Sequence, residues 1–452
     1  MDTSHHTLAG ARTVLEKCLE LRPHESFLLI YDETTRDFVA PFQRAAGSCK
    51  IKFRRAFVSK RLQSQGHLAF KPRLSQALAR VQGVLMATTD DERCTAFRLV
   101  LTGDKRNAHS AVATMPGARL SIISTAIDID YNQIVSSCRN LTLPLIKGSD
   151  CTLHTYDSHG TEYTLTFKLP GVDRPPMQSV GIIPRQAWGN IPAGETFVAP
   201  LESSADGEYL VSGAVGTEKI RNGQEALLRF DKGRLVGHQY SGSSDPVAYL
   251  VRLEEFAKSQ GHSDCWSVIA EFGIGVNRQL RKITGVQLID EKQYGTVHVA
   301  IGHNVGYGGK NQCGSVHCDM TTLNPTVLID GVTIIERGEH VHDFTRYEDD
   351  YRTFVPQKAY TWRPEYESVR LNENSFQIDG GKLSVKRTTA SGRQTIYALG
   401  DSETAILGCD LVAIFRNQSV VQTTRAKLAL KLKDSEFERF LSLLYQNGIV
   451  SP

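Results

Sequence analysis

The sequence predicts an α/β amino-terminal domain, a β-rich α+β middle domain carrying candidate metal ligands, and a small α+β carboxyl-terminal module. Three observations carry this. Helix and strand signals alternate over the first third of the chain, period-two strands with frequent Gly and Pro turns take over from about Cys151, and the texture changes again after about Thr353. At 452 residues the chain exceeds what one hydrophobic core usually organises. The expected boundaries are 1–175 for an α/β scaffold, 176–345 for the metal-binding catalytic domain, and 353–452 for the accessory module.

In order, the α/β segment shows an amphipathic run from Leu8 to Leu21, an apolar strand Phe27 to Tyr31, a helix near Phe38 to Ala46 and a strand near Val84 to Ala87. That alternation is the pattern of a parallel sheet covered by helices. No G-x-G-x-x-G follows the first strand and no P-loop signature occurs, so neither dinucleotide nor P-loop phosphate binding is expected. The middle segment opens with CTLHTYDSHGTEYTLTFKLPG, in which Ser158, His159 and Gly160 separate two period-two runs as a hairpin turn would. The last segment holds a second hairpin around Asp379, Gly380 and Gly381. It ends in DSEFERFLSLLYQNGIV, where Asp434 caps an amphipathic helix that Gly448 stops, a layout resembling a winged-helix module.

Composition narrows the class. Hydrophobic residues at 40% and charged residues at 22% are those of a folded globular protein. A formal charge of +3, with one short basic run (KIKFRR, Lys50 to Arg55) that reads as a strand, argues against a nucleic-acid partner. No apolar stretch reaches the roughly 20 residues that span a bilayer, and the amino terminus lacks a secretory layout, so a cytoplasmic protein without a membrane partner is expected. Nine cysteines without regular spacing suggest reduced thiols rather than a disulfide frame.

The chemistry concentrates between Tyr294 and Asp330, where His298, His303, His317 and Asp319 fall close together. A lone histidine is usually an ordinary core or surface residue. His317 and Asp319, however, are spaced two apart, which puts both side chains on one face of a strand, and imidazole with carboxylate suits Zn, Mn or Fe(II). The same alternation turns the Cys318 thiol to the opposite, core face. His298 interrupts the apolar strand TVHVAI, a place that keeps a histidine only if it is hydrogen-bonded or metal-bound. Upstream, Glu195 follows a proline-glycine turn and Glu271 sits between an apolar run and F-G-I-G; buried carboxylates there need a partner or a metal.

These residues resemble the aminopeptidase T/AmpS-type metallopeptidases and their non-peptidase relatives. The likeness rests on N-I-P-x-G-E-x-F-x-A-P at Asn190 to Pro200, E-x-G-x-G at Glu271 to Gly275, G-T-V-H-x-A-x-G at Gly295 to Gly302, H-x-D at His317 to Asp319, and I-D-G at Ile329 to Gly331. It covers about Val180 to Gly338, is looser before that, and stops before Thr353. The resemblance implies Glu195, Glu271, His298, His317 and Asp319 as ligands of one or two divalent cations, a homodimer, and a water nucleophile with Glu195 taking part. The tyrosine those peptidases carry falls here at Val305, so Tyr307 or His303 is the expected proton-handling group. A related dihydroxypyridine dioxygenase keeps the equivalents of His298, His317 and Asp319 as an iron site without the glutamates, and a related aromatic deaminase uses one metal.

Because both glutamates are present, the expected function is a metallohydrolase acting on an amide or amine-bearing small molecule or peptide. A mononuclear Fe(II) dioxygenase is the alternative, and a non-catalytic binding protein the third reading. The carboxyl-terminal module is the expected site for a peptide or protein partner. In a dinuclear centre, Glu195 and Glu271 are expected to complete a second position while the other metal stays with the histidines.

Overall fold

The computed structural model describes residues 3–341, apart from 65–76, 90–109, 241–245 and several shorter stretches, and beyond them six strands. The chain forms two compact units, Met1–His342 and Asp343–Pro452.

Unit 1 begins with the parallel sheet that the first strand signals predict. Strands β1 (Ser26–Tyr31), β2 (Lys52–Phe57), β3 (Gly83–Ala87) and β4 (Ala111–Thr114) run parallel and are joined at the edge by β8 (Trp188–Asn190), in the order β2-β1-β3-β4-β8. Central parallel strands are covered on both faces, and β1 and β3 are apolar runs for that reason. In β1, Leu28 and Ile30 join Val84, Met86 and Val112 in one buried cluster, whereas Phe27 turns the other way and stacks on Phe42 of the helix Val39–Ser48 at 5.7 Å. KIKFRR supplies β2, an edge strand with its charges exposed.

Two antiparallel sheets make up the rest of unit 1. The larger comprises β5 (Asp150–Tyr156), β6 (Glu162–Lys168), β10 (Asp206–Val211), β13 (Ala226–Asp231), β14 (Arg234–Tyr240), β18 (Thr326–Ile329), β19 (Val332–Glu336) and β20 (Glu339–His340). Its β5–β6 hairpin pairs Tyr156 with Glu162 around the predicted turn at Ser158 to Gly160. The smaller sheet has the order β12-β11-β17-β16-β15-β9-β7, from Glu218–Lys219, Ala214–Val215, His317–Leu323, Thr296–Gly302, Ile269–Gly275, Glu195–Val198 and Met177–Ser179 respectively. The two sheets pack through Phe167 of β6 on Phe272 of β15, centroids 5.0 Å apart, and through Tyr209 of β10, whose hydroxyl donates to the Met320 carbonyl of β17 at 2.6 Å.

Alternation along each strand then decides what faces away from that core. In β15, Phe272 and Ile274 point inward, so Glu271, Gly273 and Gly275 occupy the other face; in β16, Val297 and Val299 do the same for His298. The helix Tyr131–Lys147 flanks this sheet, capped by Asp130, whose carboxylate accepts from the Asn132 and Gln133 amides. Its Cys138 thiol donates to the Glu195 carbonyl at 3.2 Å, fixing the start of β9. No helix among the described residues is long and apolar enough to cross a membrane.

The structure redraws some sequence expectations. Strands β5 and β6, before residue 176, pair with one another and with strands on its far side, and β8, after it, closes the parallel sheet, so the chain passes between sheets on both sides of that position. Reduced thiols are the state of Cys18, Cys49, Cys138, Cys151 and Cys318, all buried, but Cys265 and Cys313 are bonded to each other. Their separation of 48 residues carries no local signature; they meet because Cys265 leads into β15 and Cys313 into β17, the strands on either side of β16.

In unit 2, Phe376–Asp379 and Lys382–Thr388 pair antiparallel with Asp379 opposite Lys382, on either side of the predicted turn. The predicted terminal helix, and with it the winged-helix likeness, lies outside the described residues. Since every sheet of unit 1 closes within Met1–His342, a chain ended after His342 is expected to fold and melt cooperatively. Circular dichroism through a thermal scan checks this, and a truncated protein that aggregates without a transition would contradict it.

Candidate metal centre

Four neighbouring strands bring the five predicted ligands together. Pairing sets Glu195 of β9 opposite Gly275 of β15, Gly273 of β15 opposite His298 of β16, Ala300 of β16 between Glu271 and Asp319, and Gly302 opposite His317 of β17. All five side chains share the face turned away from the core. Small residues in the intervening positions make the room: a Cβ on Gly273 would lie 2.1 Å from His298 Cε1, so the imidazole lies directly across that glycine's backbone.

The geometry is organised by Glu271. Its Oε1 is 3.2 Å from His298 Nε2, and its Oε2 is 3.3 Å from His317 Nε2. His298 Nε2 also faces Glu195 Oε2 at 3.8 Å, and His317 Nε2 faces Asp319 Oδ1 at 3.1 Å. Two groups of metal-competent donors result, Glu195 with Glu271 and His298, and Glu271 with His317 and Asp319, each with its ligand atoms within 4.8 Å of one another. The sequence expectation gave the histidines one metal and had the glutamates complete another position; the donor groups here are divided differently. Each group takes one histidine, and Glu271 belongs to both.

A layer of residues that sequence reasoning missed holds the carboxylates. Lys292, wholly buried, binds Glu195 Oε1 and Glu291 Oε1 through Nζ, and Gln287 donates from Nε2 to Asp319 Oδ2 at 2.5 Å. Gln287 lies in the short helix Gln287–Asp290, which is fixed by Asp290 accepting from Thr284 and Gly285. The only linear signal is the charged D-E-K triplet next to the H-containing strand, and that pattern ordinarily reads as a solvated turn.

Tyr307 and His303 lie at the other side. Tyr307 Oη is 2.9 Å from His317 Nδ1 and donates to the His303 carbonyl at 3.0 Å, and the same carbonyl is 2.9 Å from His317 Nδ1. A proton on Nδ1 is therefore held by oxygen, and Nε2, the nitrogen facing Glu271 and Asp319, is the one whose lone pair can bind a metal. His303 Nδ1 accepts the Cys313 amide at 3.0 Å, so its neutral ring carries the proton on Nε2.

Burial alone would raise carboxylate pKa values and lower those of the histidines, and the pairings decide which groups escape that. Burial does raise Glu195 and pushes Glu291 well up, despite the opposing charge of Lys292. Glu271 is lowered against burial by its bonds to His298 and His317, and Asp319 is held far below its ordinary value by His317. Burial is likewise outweighed for both histidines: Glu271 and Asp319 raise His298, and Asp319 with Glu271 raises His317 well above the ordinary imidazole value. His303 is lowered by burial and by the neighbouring His317 and His262. Three carboxylates, Glu195, Glu271 and Asp319, thus face two imidazoles and the Lys292 ammonium.

That balance is what divalent cations would replace. The donors are the carboxylate and imidazole groups that Zn, Mn and Fe(II) take, and Glu195 Oε2 is buried with no hydrogen-bond partner, facing His298. An acceptor left so costs about 1–3 kcal/mol, which a cation would recover. The residues therefore fit metal. His298 Nδ1 is equally buried and unpartnered, and nothing in the structure accounts for it.

Fold and site together define a mixed α/β protein with a buried carboxylate-histidine cluster on one face of an antiparallel sheet. Several solved chains share the fold, among them these two. One is 2,5-dihydroxypyridine dioxygenase from Pseudomonas putida KT2440, with TM-score 0.56 and 15% identity over 76% of this chain and 99% of that one. The other is AmpT, aminopeptidase T, from Thermus thermophilus, with TM-score 0.53 and 15% identity over 75% of this chain and 99% of that one. The covered share equals that of unit 1 in the whole chain. No family model matches the sequence, and no curated protein does.

Two outcomes follow from this geometry. Gly273→Ala forces the His298 ring aside and is expected to cost about 1–3 kcal/mol of stability and to weaken metal retention, read by thermal melting and by metal content after dialysis. Wild-type values for both would contradict the packing. Metal uptake should also release protons: His298 and His317, with raised pKa values, still carry protons above pH 6.5, must lose them to bind, and so bind more weakly as pH falls. Calorimetry at pH 7 in buffers of different ionisation enthalpy measures that release, and identical heats in all buffers would contradict it.

Proposed function

We propose that the chain is a metal-dependent hydrolase that holds two divalent cations and acts on an amide or amine-bearing small molecule or peptide. The observation that carries this reading is the two-sided use of Glu271, one oxygen toward each histidine. Glu195, Glu271 and His298 would hold one cation, and Glu271, His317 and Asp319 the other. Bound there, a pair of cations lowers the pKa of water and polarises a carbonyl group.

The remaining work falls to the chain's own residues. Lys292 keeps Glu195 anchored by one oxygen so that the other faces His298, and Gln287 does the same for Asp319. Tyr307 and the His303 carbonyl hold His317 with Nε2 toward the centre. The half-buried His303 ring, neutral and protonated on Nε2, is the proton-handling group. Glu195, with its pKa raised, is the carboxylate best suited to accept a proton from water.

A mononuclear Fe(II) dioxygenase is the second reading, supported by the fold shared with 2,5-dihydroxypyridine dioxygenase. It requires His298, His317 and Asp319 around one ion, whereas neither donor group among the described residues contains both histidines. Metal counting separates the two. The hydrolase should bind two ions per chain, lose one in Glu195→Gln, lose one in His317→Ala or Asp319→Ala, and lose both in Glu271→Gln. One iron per chain, unchanged by Glu195→Gln and accompanied by oxygen uptake with a dihydroxypyridine, would replace the hydrolase with the oxygenase. Release of amine from aminoacyl anilides by the wild type, abolished in Glu271→Gln, is the expected activity.

A further inference from the structure

A second cluster of soft ligands lies beside the loop that follows β16. His262, Cys265 and Cys313 have their donor atoms within 4.8 Å of one another, and the two sulfurs are bonded. His262 and Cys265 share one turn, with the Cys265 amide donating to the His262 carbonyl at 3.4 Å. Cys313 opens another turn, in which the Val316 amide donates to the Cys313 carbonyl at 3.0 Å. The next residue, Gly314, has φ +59°, and a Cβ there would lie 2.5 Å from His262 Nε2, so the imidazole rests against the backbone beside Cys313. His303 is not among these donors, and its Nδ1 accepts the Cys313 amide.

The two limbs do not depend on the sulfurs to stay together. Asn311 donates from Nδ2 to the Cys265 carbonyl at 2.8 Å and to the Gly302 carbonyl at 2.5 Å, and its amide donates to Asn304 Oδ1. Opening the sulfur bond therefore leaves both thiols and the imidazole side by side. Two thiolates and an imidazole in that arrangement are three of the four ligands of a tetrahedral zinc site, with sulfurs about 3.8 Å apart for Zn–S bonds of about 2.3 Å.

We propose that His262, Cys265 and Cys313 form a zinc-class metal site that opens when the Cys265–Cys313 bond is reduced, separate from the carboxylate-histidine centre. An external dithiol supplies two electrons and two protons to the sulfurs and leaves as its own disulfide. The cation then displaces the two thiol protons, and water fills the fourth position. The inference stands independently of the proposed hydrolase, whose donors are oxygen and nitrogen alone.

Cobalt(II) tests it, because thiolate ligation gives a near-ultraviolet charge-transfer band that carboxylate and imidazole ligation does not. The full chain is reduced with a dithiol, desalted without oxygen and titrated with Co²⁺. The expected result is a charge-transfer band in the reduced protein that is absent before reduction, is bleached by Zn²⁺, and is lost in Cys265→Ser and in Cys313→Ser. It should persist in Glu271→Gln, which separates this site from the other centre. Should a serine variant fail to fold, iodoacetamide treatment of the folded, reduced wild type replaces it and should likewise remove the band. No band in the reduced protein with excess Co²⁺, an equal band before reduction, or a band that survives both serine substitutions and alkylation would overturn the proposal.

Discussion

The chemistry of unit 1 depends on one carboxylate shared between two imidazoles. Glu271 sits on β15 with His298 on the neighbouring strand and His317 one strand further, so its two oxygens reach two different rings. Removing several charges from water costs several kcal/mol for each ion unless they are paired. The cluster meets this condition by alternating sign across the sheet: Glu195, His298, Glu271, His317 and Asp319 follow one another, each facing a partner of opposite charge. Lys292 and Gln287 bind the outer carboxylates from behind. A site with this charge pattern is held by protons or by cations, and the strands fix only where those charges sit.

The sheet carries the arrangement because its two faces do different work. The inner face, with Phe272, Val297, Val299 and Met320, is packed on the larger sheet, so the backbone positions are fixed independently of the ligands. On the outer face the small residues are as important as the charged ones. Gly273 gives up its side chain so that His298 can lie flat, and Gly275 does so where the Gln293 carbonyl would be 2.1 Å from a Cβ. The E-x-G-x-G pattern is therefore a statement about space as well as about ligands.

The loop between β16 and β17 joins two further functions. It carries His303 and Tyr307, which set the orientation of His317, and its far end carries Cys313. Through the Cys313 amide on His303 Nδ1, the sulfur cluster and the carboxylate centre share one intervening residue. The fold shared with an aminopeptidase and with a dihydroxypyridine dioxygenase does not choose a reaction, since function resides in the site rather than the scaffold.

Much of this was legible in the sequence for a local reason. Period-two alternation and apolar runs are properties of neighbours in the chain, so β1, β2, β3, β5, β6, β16 and β17 could be read from their own residues, and so could the common face of His317 and Asp319. The five donors could be nominated because charged groups in apolar strands are costly and therefore conspicuous. Which donor meets which could not be read, because strand order β17-β16-β15-β9 and the register across it are fixed by packing between residues far apart in sequence. That register, not composition, split the histidines and made Glu271 common to both groups. The same holds for Lys292 and Gln287, which read as surface residues until the fold buries one fully against Glu195 and turns the other to Asp319, and for Cys265 and Cys313, whose meeting follows from the two strands they precede.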